Sequence, residues 1–232
     1  MKNNVNVAVI GSGYWGKNLI RNYSQMGALK VICDNNETLL DHFKKQYPDT
    51  DLCLSINDVL SRTDIHGVVI ATPAEKHFSI AREALLAKKH VFVEKPLVLD
   101  ENEALELIQL AKESHLILMV GHLMQYHPVF QRLKLLVVNG DLGRINYIYS
   151  HRLNLGKIRR EENALWSFAP HDISMILGLA GDMPESVQCT GGNYLHKKIA
   201  DVTIIMLKVT GCPSALKTRY GILRLKSHEI IR

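Results

Sequence analysis

The sequence has no long hydrophobic run and few residues that could cross-link it. Within its 232 residues, no apolar stretch reaches the ~20 residues that a membrane-spanning helix needs. The N-terminus leads directly into a strand-like segment, which predicts that no signal peptide is present. The cysteines form neither a C-x-x-C pair nor a zinc-binding spacing; they are Cys33, Cys53, Cys189 and Cys212. We therefore expect reduced thiols, a cytoplasmic location and no membrane partner.

Most of the chain has no excess of positive over negative charge. The formal net charge is +5, but residues 197–232 carry +6 and leave −1 for the first 196 residues. A nucleic-acid-binding domain is expected to be basic over the surface that meets the phosphates, so we expect no nucleic-acid partner. The hydrophobic content of 47% is ordinary for a globular protein, and the length allows one large or two small domains.

The first residues contain the pattern around which the chain is organised. Val5–Ile10 is apolar and rich in β-branched residues, which predicts a buried strand, and a helix-like stretch follows at residues 18–26. Between them lies a G-x-G-x-x-G turn formed by Gly11, Gly13 and Gly16. In a dinucleotide site these glycines allow a tight turn, close approach of a pyrophosphate, and close packing of the helix on the strand. A plain glycine-rich turn is the alternative interpretation.

A carboxylate follows at the distance that a dinucleotide site requires. The second strand-like run, Leu29–Cys33, ends at Asp34, about 20 residues beyond the turn. A carboxylate there accepts hydrogen bonds from the adenosine ribose and repels a 2′-phosphate. The sequence therefore predicts NAD as the cofactor in preference to NADP, although Asn35 and Asn36 beside it would tolerate either.

Strand-like and helix-like segments alternate up to about residue 124. Strands are predicted at residues 5–10, 29–33, 52–54, 67–72, 90–93 and 116–120, and helices at 18–26, 37–47, from 55, 75–88 and 100–114. This alternation predicts a doubly wound parallel sheet, an α/β Rossmann domain over residues 1–124.

The pattern changes over residues 125–232. Helices are predicted at 129–138 and 168–179, and longer alternating strands at 145–155, 186–190 and 202–209. Such strands are typical of antiparallel or mixed sheets with one solvated face. We therefore predict a second α+β domain with a mostly antiparallel sheet.

Four segments in this order resemble those of the Gfo/Idh/MocA family of NAD(P)-dependent sugar and polyol dehydrogenases. They are the glycine turn at 11–16, Ala71-Thr72-Pro73 with His77, Glu94-Lys95-Pro96, and a helix that carries His171. The Gly-Tyr-Trp-Gly-Lys-Asn opening and the stretch 166–173 resemble most the UDP-N-acetylglucosamine and UDP-N-acetylglucosaminuronate 3-dehydrogenases within it. Polyol or inositol dehydrogenases of the same family are an alternative.

The resemblance implies a role for each matching position. Lys95 would hydrogen-bond the reacting hydroxyl, His171 would share the proton transfer, and Pro96 would shape the turn, often through a cis bond. The positions that would line the cofactor, besides the three glycines, Lys95 and Asp34, are Tyr14, Trp15, Thr72, Pro73, His77 and Glu94. Family members commonly have an aspartate four residues before the catalytic histidine, where this chain has Ser167.

The chemistry of the reaction also favours Lys95 as the base, independently of the resemblance. Abstraction of a hydroxyl proton needs a base, and a lysine that is removed from water beside a positively charged nicotinamide gives up its proton more readily. Lys95 could instead be an exposed lysine at a strand end, and His171 a structural residue of its helix. Tyr14 and Trp15 are expected to pack rather than to take part in the reaction.

Further candidates for contact with the substrate, a sugar or nucleotide sugar, are His122, Arg152, Asn154 and Ser167. Arg152 and Asn154 could meet a phosphate or a sugar, or could simply be the polar face of a sheet. His122 and His127 could hydrogen-bond between domains; as a metal pair they lack a third ligand, so no metal site is expected.

The last residues depart from the family. The strand pattern holds through Val209 and then gives way to Thr210-Gly211-Cys212-Pro213 and a basic, weakly periodic tail. Family members are longer, and their second-domain sheet often forms homo-oligomers. We therefore expect a shortened second domain, from truncation or a changed reading frame. A catalytically silent NAD-binding protein is the corresponding alternative.

Overall fold

The computed structural model describes residues 5–152, 163–195 and 197–209, and the backbone of 221–227. The chain divides into two compact units, Met1–Gly121 and His122–Arg232. The sequence-based division between residues 124 and 125 stays a prediction about the functional domains. No helix within the described ranges is both long and apolar enough to cross a membrane.

The first unit alternates strands and helices, as the sequence predicts. Its elements are β1 (Val7–Ile10), α1 (Gly16–Gln25), β2 (Leu29–Cys33), α2 (Glu37–Gln46), β3 (Asp51–Cys53), α3 (Ile56–Ser61), β4 (Gly67–Ile70), α4 (His77–Leu86), β5 (His90–Val93), α5 (Glu101–Glu113) and β6 (Leu118–Val120). A 3₁₀ turn, Ala74–Lys76, precedes α4.

All six strands are parallel and lie in the order β3-β2-β1-β4-β5-β6. Every residue of β1 and β4 is buried, because helices cover both faces of the sheet. The strand order reverses between β1 and β4, which places the topological switch point of a doubly wound fold beside the glycine turn. The predicted parallel Rossmann sheet is confirmed.

Capping side chains set most helix starts in this unit. Asn36 accepts a hydrogen bond from the backbone of Leu39 at the start of α2, and Ser55 does the same for Asp58 in α3. At α5, Asp100 Oδ1 accepts from the backbone N–H groups of Asn102 and Glu103. Each cap satisfies an N–H group that has no partner within its helix.

The second unit combines two helices with a small sheet. Its elements are α6 (Pro128–Val138), β7 (Tyr149–Arg152), α7 (Ala164–Ala180), β8 (Ser186–Gly192), β9 (Val202–Val209) and β10 (Gly221–Ser227), and a 3₁₀ turn, Leu123–Tyr126, precedes α6. The strand order is β7-β10-β9-β8. β9 pairs antiparallel with β8 and β10, whereas β7 and β10 are parallel. The predicted, mostly antiparallel sheet is confirmed.

Alternate residues of β9 make the core of this unit. Ile205 and Leu207 are buried and pack with Ala169 and Ile176 of α7. Met206, between them, is 40% exposed on the opposite face. Burial of one face and solvation of the other follows from the two-residue period of a strand.

Several sequence-based boundaries differ from the structure, most of them by one or two residues, and the larger differences lie in the second unit. β10 lies in the region predicted as a weakly periodic tail, where leucines and cations alternate in the sequence Leu-Arg-Leu-Lys. α7 begins at Ala164 rather than Phe168, because Asn163 caps it through Trp166 N–H. β7 starts only at Tyr149, and the predicted extension to residues 153–155 lies outside the described residues.

Candidate functional site

The carboxyl ends of the parallel strands place the predicted site residues along one edge of the first sheet. The strand pairing continues one residue beyond the strands: Gly11 N–H donates to Cys33 O (2.8 Å) and Ala71 N–H to Ile10 O (2.8 Å). Further along, Glu94 N–H donates to Ile70 O (2.9 Å) and Gly121 N–H to Val93 O (2.7 Å). The residues after β1, β4, β5 and β6 are therefore held in register by backbone hydrogen bonds.

Two of the three turn glycines are required by the protein itself. Gly11 has a φ of +92°, and a Cβ added to it would lie 2.8 Å from the Ala71 carbonyl carbon. A Cβ on Gly16 would lie 1.9 Å from Gly11 O, so this glycine lets α1 approach the turn. A Cβ on Gly13 would meet nothing within 4 Å. The absence of a side chain at Gly13 leaves open space, as a close-fitting ligand requires.

The start of α1 is open to an anion. The helix has neither a capping side chain nor an acidic residue in its first turn. The N–H groups of Lys17 and Asn18 donate to Gly13 O (3.2 Å) and Trp15 O (2.9 Å). The helix start therefore offers a phosphate the positive end of its dipole, with no acidic side chain to oppose it. Tyr14 is 83% exposed, so the expectation that it packs is wrong, because the turn projects its ring outward, where the Lys17 ammonium lies 5.2 Å from the ring centroid. Trp15 is 42% exposed.

The Asp34 carboxylate accepts hydrogen bonds from the glycine turn. Its Oδ2 accepts hydrogen bonds from the backbone N–H of Ser12 (2.7 Å) and from the Ser12 hydroxyl (2.8 Å). Its Oδ1 accepts from the backbone N–H of Asn36 (3.0 Å). An ionised carboxylate offers about four acceptor positions, so one remains for a ligand hydroxyl. Ser12 was not singled out from the sequence, although a serine between the glycines is the nearest donor to such a carboxylate.

Two buried oxygens at this edge have no hydrogen-bond partner within the described part of the chain: Thr72 Oγ1 and Glu94 Oε1. Glu94 is 8% exposed, and this burial raises the pKa of its carboxyl. Hydrogen bonds from the Trp15 indole and the Lys95 backbone N–H, and the charges of Lys95 and His77, partly offset that rise. Unsatisfied buried polar atoms are costly and call for an explanation, and a bound cofactor provides one here. The residues present therefore fit a dinucleotide.

Lys95 is half-buried and follows Glu94 at the end of β5. The Lys95–Pro96 peptide bond is cis, as the resemblance implies. His77 contacts this turn and is only 1% exposed. Its Nδ1 lies 2.7 Å from Pro96 O and its Nε2 lies 2.9 Å from Thr72 O. Its imidazole therefore reaches the two turns rather than the open side, so a direct contact of His77 with a cofactor is not what this geometry provides.

In the second unit, α7 carries the other predicted catalytic residue. His171 and Ser167 lie four positions apart and so share one face of the helix. Ser167 is 7% exposed, whereas His171 is half-buried. His122, the first residue of this unit, is half-buried before the 3₁₀ turn. Asn154 lies outside the described residues.

A buried carboxylate joins α7 to β7. Asp172 is 2% exposed; its Oδ1 accepts from the Ser150 hydroxyl (2.8 Å) and its Oδ2 from Arg152 Nε (2.8 Å). The Arg152 side chain remains 40% exposed. Arg152 is thus held at Nε by Asp172 while its side chain stays partly exposed. The sequence analysis missed Asp172. An aspartate directly before the largely apolar stretch Ile-Ser-Met-Ile-Leu of a helix is expected to be buried and therefore to need a partner.

Within the described ranges, no group of three or more His, Cys, Asp or Glu side chains is arranged to hold a metal ion. The first unit brings together the glycine turn, Asp34, Thr72, Glu94 and Lys95 along one sheet edge. The second unit brings together His171, Asp172 and Arg152.

Comparisons with known proteins identify the family of this chain and several relatives. The profile of the Gfo/Idh/MocA family, described as an oxidoreductase family with an NAD-binding Rossmann fold, matches residues 5–122. UDP-N-acetylglucosamine 3-dehydrogenase of Acidithiobacillus ferrooxidans is 30% identical over 189 residues, which cover 79% of this chain and 56% of the relative. A 2,7-anhydro-N-acetylneuraminate hydratase of Mediterraneibacter gnavus is 27% identical over 206 residues, covering 83% and 54%. The chain thus spans about half the length of these relatives.

Solved structures of similar proteins have the same fold. A crystal form of the Acidithiobacillus ferrooxidans UDP-N-acetylglucosamine 3-dehydrogenase superimposes with a TM-score of 0.84 at 26% identity, covering 98% of this chain and 68% of that one. A structure from Klebsiella pneumoniae described as an oxidoreductase gives 0.78 at 30% identity, covering 97% and 62%.

Proposed function

Because the chain belongs to the Gfo/Idh/MocA oxidoreductase family, we propose that it transfers a hydride between a hydroxyl-bearing carbon of a sugar and NAD. The observation that carries this proposal is the register of the carboxyl edge. Backbone hydrogen bonds join the residues after β1, β4 and β5, so the glycine turn and Lys95 occupy fixed positions along one edge. Bound NAD would take up the hydride from the carbinol carbon.

The chain's own residues supply a complete cofactor cradle. The positive end of the α1 dipole and the open space at Gly13 suit the pyrophosphate. The free acceptor position of Asp34 suits a ribose hydroxyl. Thr72 Oγ1 and Glu94 Oε1, which have no hydrogen-bond partner within the described residues, could bond to the bound cofactor.

The carboxylate of Asp34 favours NAD over NADP. A 2′-phosphate on the adenosine ribose would place two negative charges within a few ångströms, and three of the four acceptor positions of Asp34 are already held by Ser12 and Asn36. No cation pairs with Asp34 in the described part of the chain to relieve that repulsion.

Lys95 and His171 handle the proton in this proposal. Lys95 is a half-buried residue at the edge. Its amine accepts the proton of the reacting hydroxyl, and in the reverse direction its ammonium polarises the ketone. His171 shares that proton from α7. Hydrogen bonds and ion pairs within α7 and β7 hold the backbone that carries it, since Asp172, its neighbour, is fixed by Ser150 and Arg152.

An anionic sugar derivative suits the second unit. The exposed part of the Arg152 guanidinium can donate to a phosphate or carboxylate, and Asp172 holds its orientation. Together with the relative that acts on UDP-N-acetylglucosamine, this supports a nucleotide sugar oxidised at its C3 carbon. A polyol or inositol offers no anion to the exposed part of the Arg152 side chain, which would then pair with Asp172 alone.

Ser167 favours a second candidate, an NAD-binding protein that does not turn over. The resemblance implies a carboxylate at this position, and a buried hydroxyl cannot supply its charge. If His171 needs that charge to exchange protons, the chain would retain only the cofactor cradle.

We also propose that the protein forms homo-oligomers through the face of the second sheet that does not pack on α7. Tyr149 and Met206 on this face are 63% and 40% exposed, which is typical of an interface. Light scattering on a Met206→Lys variant should then show a smaller assembly than that of the unchanged protein. An unchanged mass would contradict this interface.

Activity distinguishes the two candidates. We expect NADH formation with a panel of UDP-sugars, and we expect Lys95→Ala to abolish it while NAD affinity, measured by fluorescence, stays within about twofold. Lys112→Ala, an exposed lysine on α5, is the matched control. NAD binding with no turnover on any sugar would favour the silent protein, and turnover that survives in Lys95→Ala would refute the role of Lys95.

A further inference from the structure

His77 lies in an unusual hydrogen-bonding position. It is the first residue of α4 and is 1% exposed. Its Nδ1 lies 2.7 Å from the carbonyl oxygen of Pro96, and its Nε2 lies 2.9 Å from the carbonyl oxygen of Thr72. Both neighbours are acceptors and neither can donate.

The number of N–H donors that the two contacts need indicates the protonation state of the His77 ring. A neutral imidazole has one N–H group and one bare nitrogen, so it can satisfy only one of the two carbonyls. The other contact would set two lone pairs against each other at hydrogen-bond distance. Both contacts are satisfied together only when both ring nitrogens carry hydrogen, which is the imidazolium form.

Other histidines in this unit show the opposite arrangement. His66 Nδ1 accepts a hydrogen bond from the backbone N–H of Asn6 (3.0 Å), and His90 Nδ1 accepts from the backbone N–H of Ile117 (3.0 Å). In each of these rings one nitrogen must be bare. His77 therefore differs from them in kind, and the protein supplies internal references for comparison.

A buried cation needs an opposite charge nearby. Glu94, itself 8% exposed, interacts electrostatically with His77, and the interaction favours the ionised carboxylate. This interaction is one of the causes that partly offset the rise that burial produces in the pKa of Glu94.

The two carbonyls that the His77 ring contacts belong to two separate turns. The last strand-to-strand hydrogen bond between these segments joins Glu94 N–H to Ile70 O. Beyond it the chains enter separate turns, one containing Thr72 and the other containing Lys95 and Pro96. The His77 ring connects the carbonyls of these two turns where the ladder has ended.

We propose that His77 is a doubly protonated clamp that holds the Thr72 and Pro96 turns together and so positions Lys95 at the sheet edge. The ring donates to both carbonyls and contacts neither cofactor nor substrate, which makes it a positioning residue. The clamp itself is independent of the proposed reaction, whereas its catalytic consequence rests on the proposed role of Lys95.

Nitrogen-15 NMR of the full chain, labelled at histidine and free of cofactor, tests the clamp directly. At pH ~7.5, where an ordinary histidine is mainly neutral, we expect His77 to show two protonated ring nitrogens with slowly exchanging hydrogens. His90 should show one bare nitrogen in the same spectrum. A bare nitrogen in His77 under these conditions would overturn the proposal, whether or not the protein turns over.

A pair of variants tests the consequence for Lys95. His77→Gln keeps a donor at only one end, and His90→Gln is the control for loss of an imidazole outside the turns. We expect His77→Gln, and not His90→Gln, to shift the backbone amide resonance of Lys95. With an active sugar, kcat should fall roughly tenfold, equivalent to ~1.4 kcal/mol of barrier, with KM for the sugar and the Kd of NAD nearly unchanged.

The outcomes separate the two proposals. Equal effects of both variants on the Lys95 resonance would overturn the positioning role even in an inactive protein. If no sugar is turned over, the spectra still decide the clamp, and only the proposed function fails. If His77→Gln does not fold, the ring protonation of the unchanged protein remains the deciding measurement.

Discussion

Alanine substitutions in the glycine turn should separate the role of each glycine, since the structure gives the three positions different surroundings. A Cβ would lie 1.9 Å from a backbone oxygen at Gly16, and would meet nothing within 4 Å at Gly13. We therefore expect Gly16→Ala to destabilise the fold, and Gly13→Ala to leave the fold intact but to weaken cofactor binding.

The magnitudes follow from these contacts. Gly16→Ala must displace Gly11 O by well over 1 Å, and because this oxygen belongs to the backbone, no side-chain rotation can relieve the overlap. Overpacking of a core commonly costs about 1–3 kcal/mol, and we expect a loss at the upper end, about 3 kcal/mol. Gly13 does not have a positive φ, so alanine there should stabilise the free protein by about 0.4–1 kcal/mol through the unfolded state.

Gly27→Ala is a control for backbone strain alone. Gly27 has a φ of +68°, its added Cβ would meet nothing, and it lies at the far end of α1 from the glycine turn. We expect it to lose about 1 kcal/mol of stability and to keep its affinity for NAD.

The assay combines urea unfolding of the free protein with NAD titration by fluorescence. Gly13→Ala should weaken NAD binding at least ~10-fold, or 1.4 kcal/mol, without loss of stability. NAD affinity unchanged in Gly13→Ala would refute the assignment of this open space to the pyrophosphate. A fully stable Gly16→Ala would refute the steric argument.

Three further substitutions test the carboxylates. Asp172→Asn should destabilise the protein by about 2 kcal/mol, because it breaks a charge-assisted hydrogen bond in a buried position, whereas Glu106→Gln, in an exposed pair with Arg82, should change stability by less than about 0.5 kcal/mol; equal losses in urea unfolding would contradict the buried network. Burial raises the pKa of Glu94, so its ionisation opposes folding as pH rises above the unfolded-state value of ~4.3; the stability of Glu94→Gln relative to the unchanged protein should therefore increase from pH ~4 upward, and a flat difference would argue against this. Asp34→Ser should lower NAD affinity and raise the ratio of NADP to NAD affinity, measured by competitive titration; an unchanged ratio would show that Asp34 does not discriminate.

Residues with a local structural reason were predictable from the sequence. Gly11 and Gly16 are required by a tight turn and by close helix packing, which are contacts between near neighbours in the chain. The parallel strands read as apolar runs because both of their faces are covered, and Asp100 marks the start of α5 because it caps its own helix. In each case the signal and its partner lie within a few residues.

Residues whose partners are distant in sequence were not predictable. Asp172 hydrogen-bonds Ser150 and Arg152, about 20 residues away, so the apolar residues around it indicate burial but do not identify its partners. The two carbonyls that His77 meets are backbone atoms, which no side-chain pattern reveals. β10 was overlooked because cations interrupt its leucines, although its strand partners on both sides fix its place in the sheet.

The hydrogen bonds that extend each strand pair by one residue restrict how this site can change over evolution. Removal or insertion of a single residue just before Glu94 would move every following side chain to the opposite face of the sheet. Lys95 would then exchange places with its neighbour, and the backbone bond to Ile70 would be made by the wrong residue. New substrate preferences are therefore accessible here by replacement of side chains rather than by a shift of the strand register.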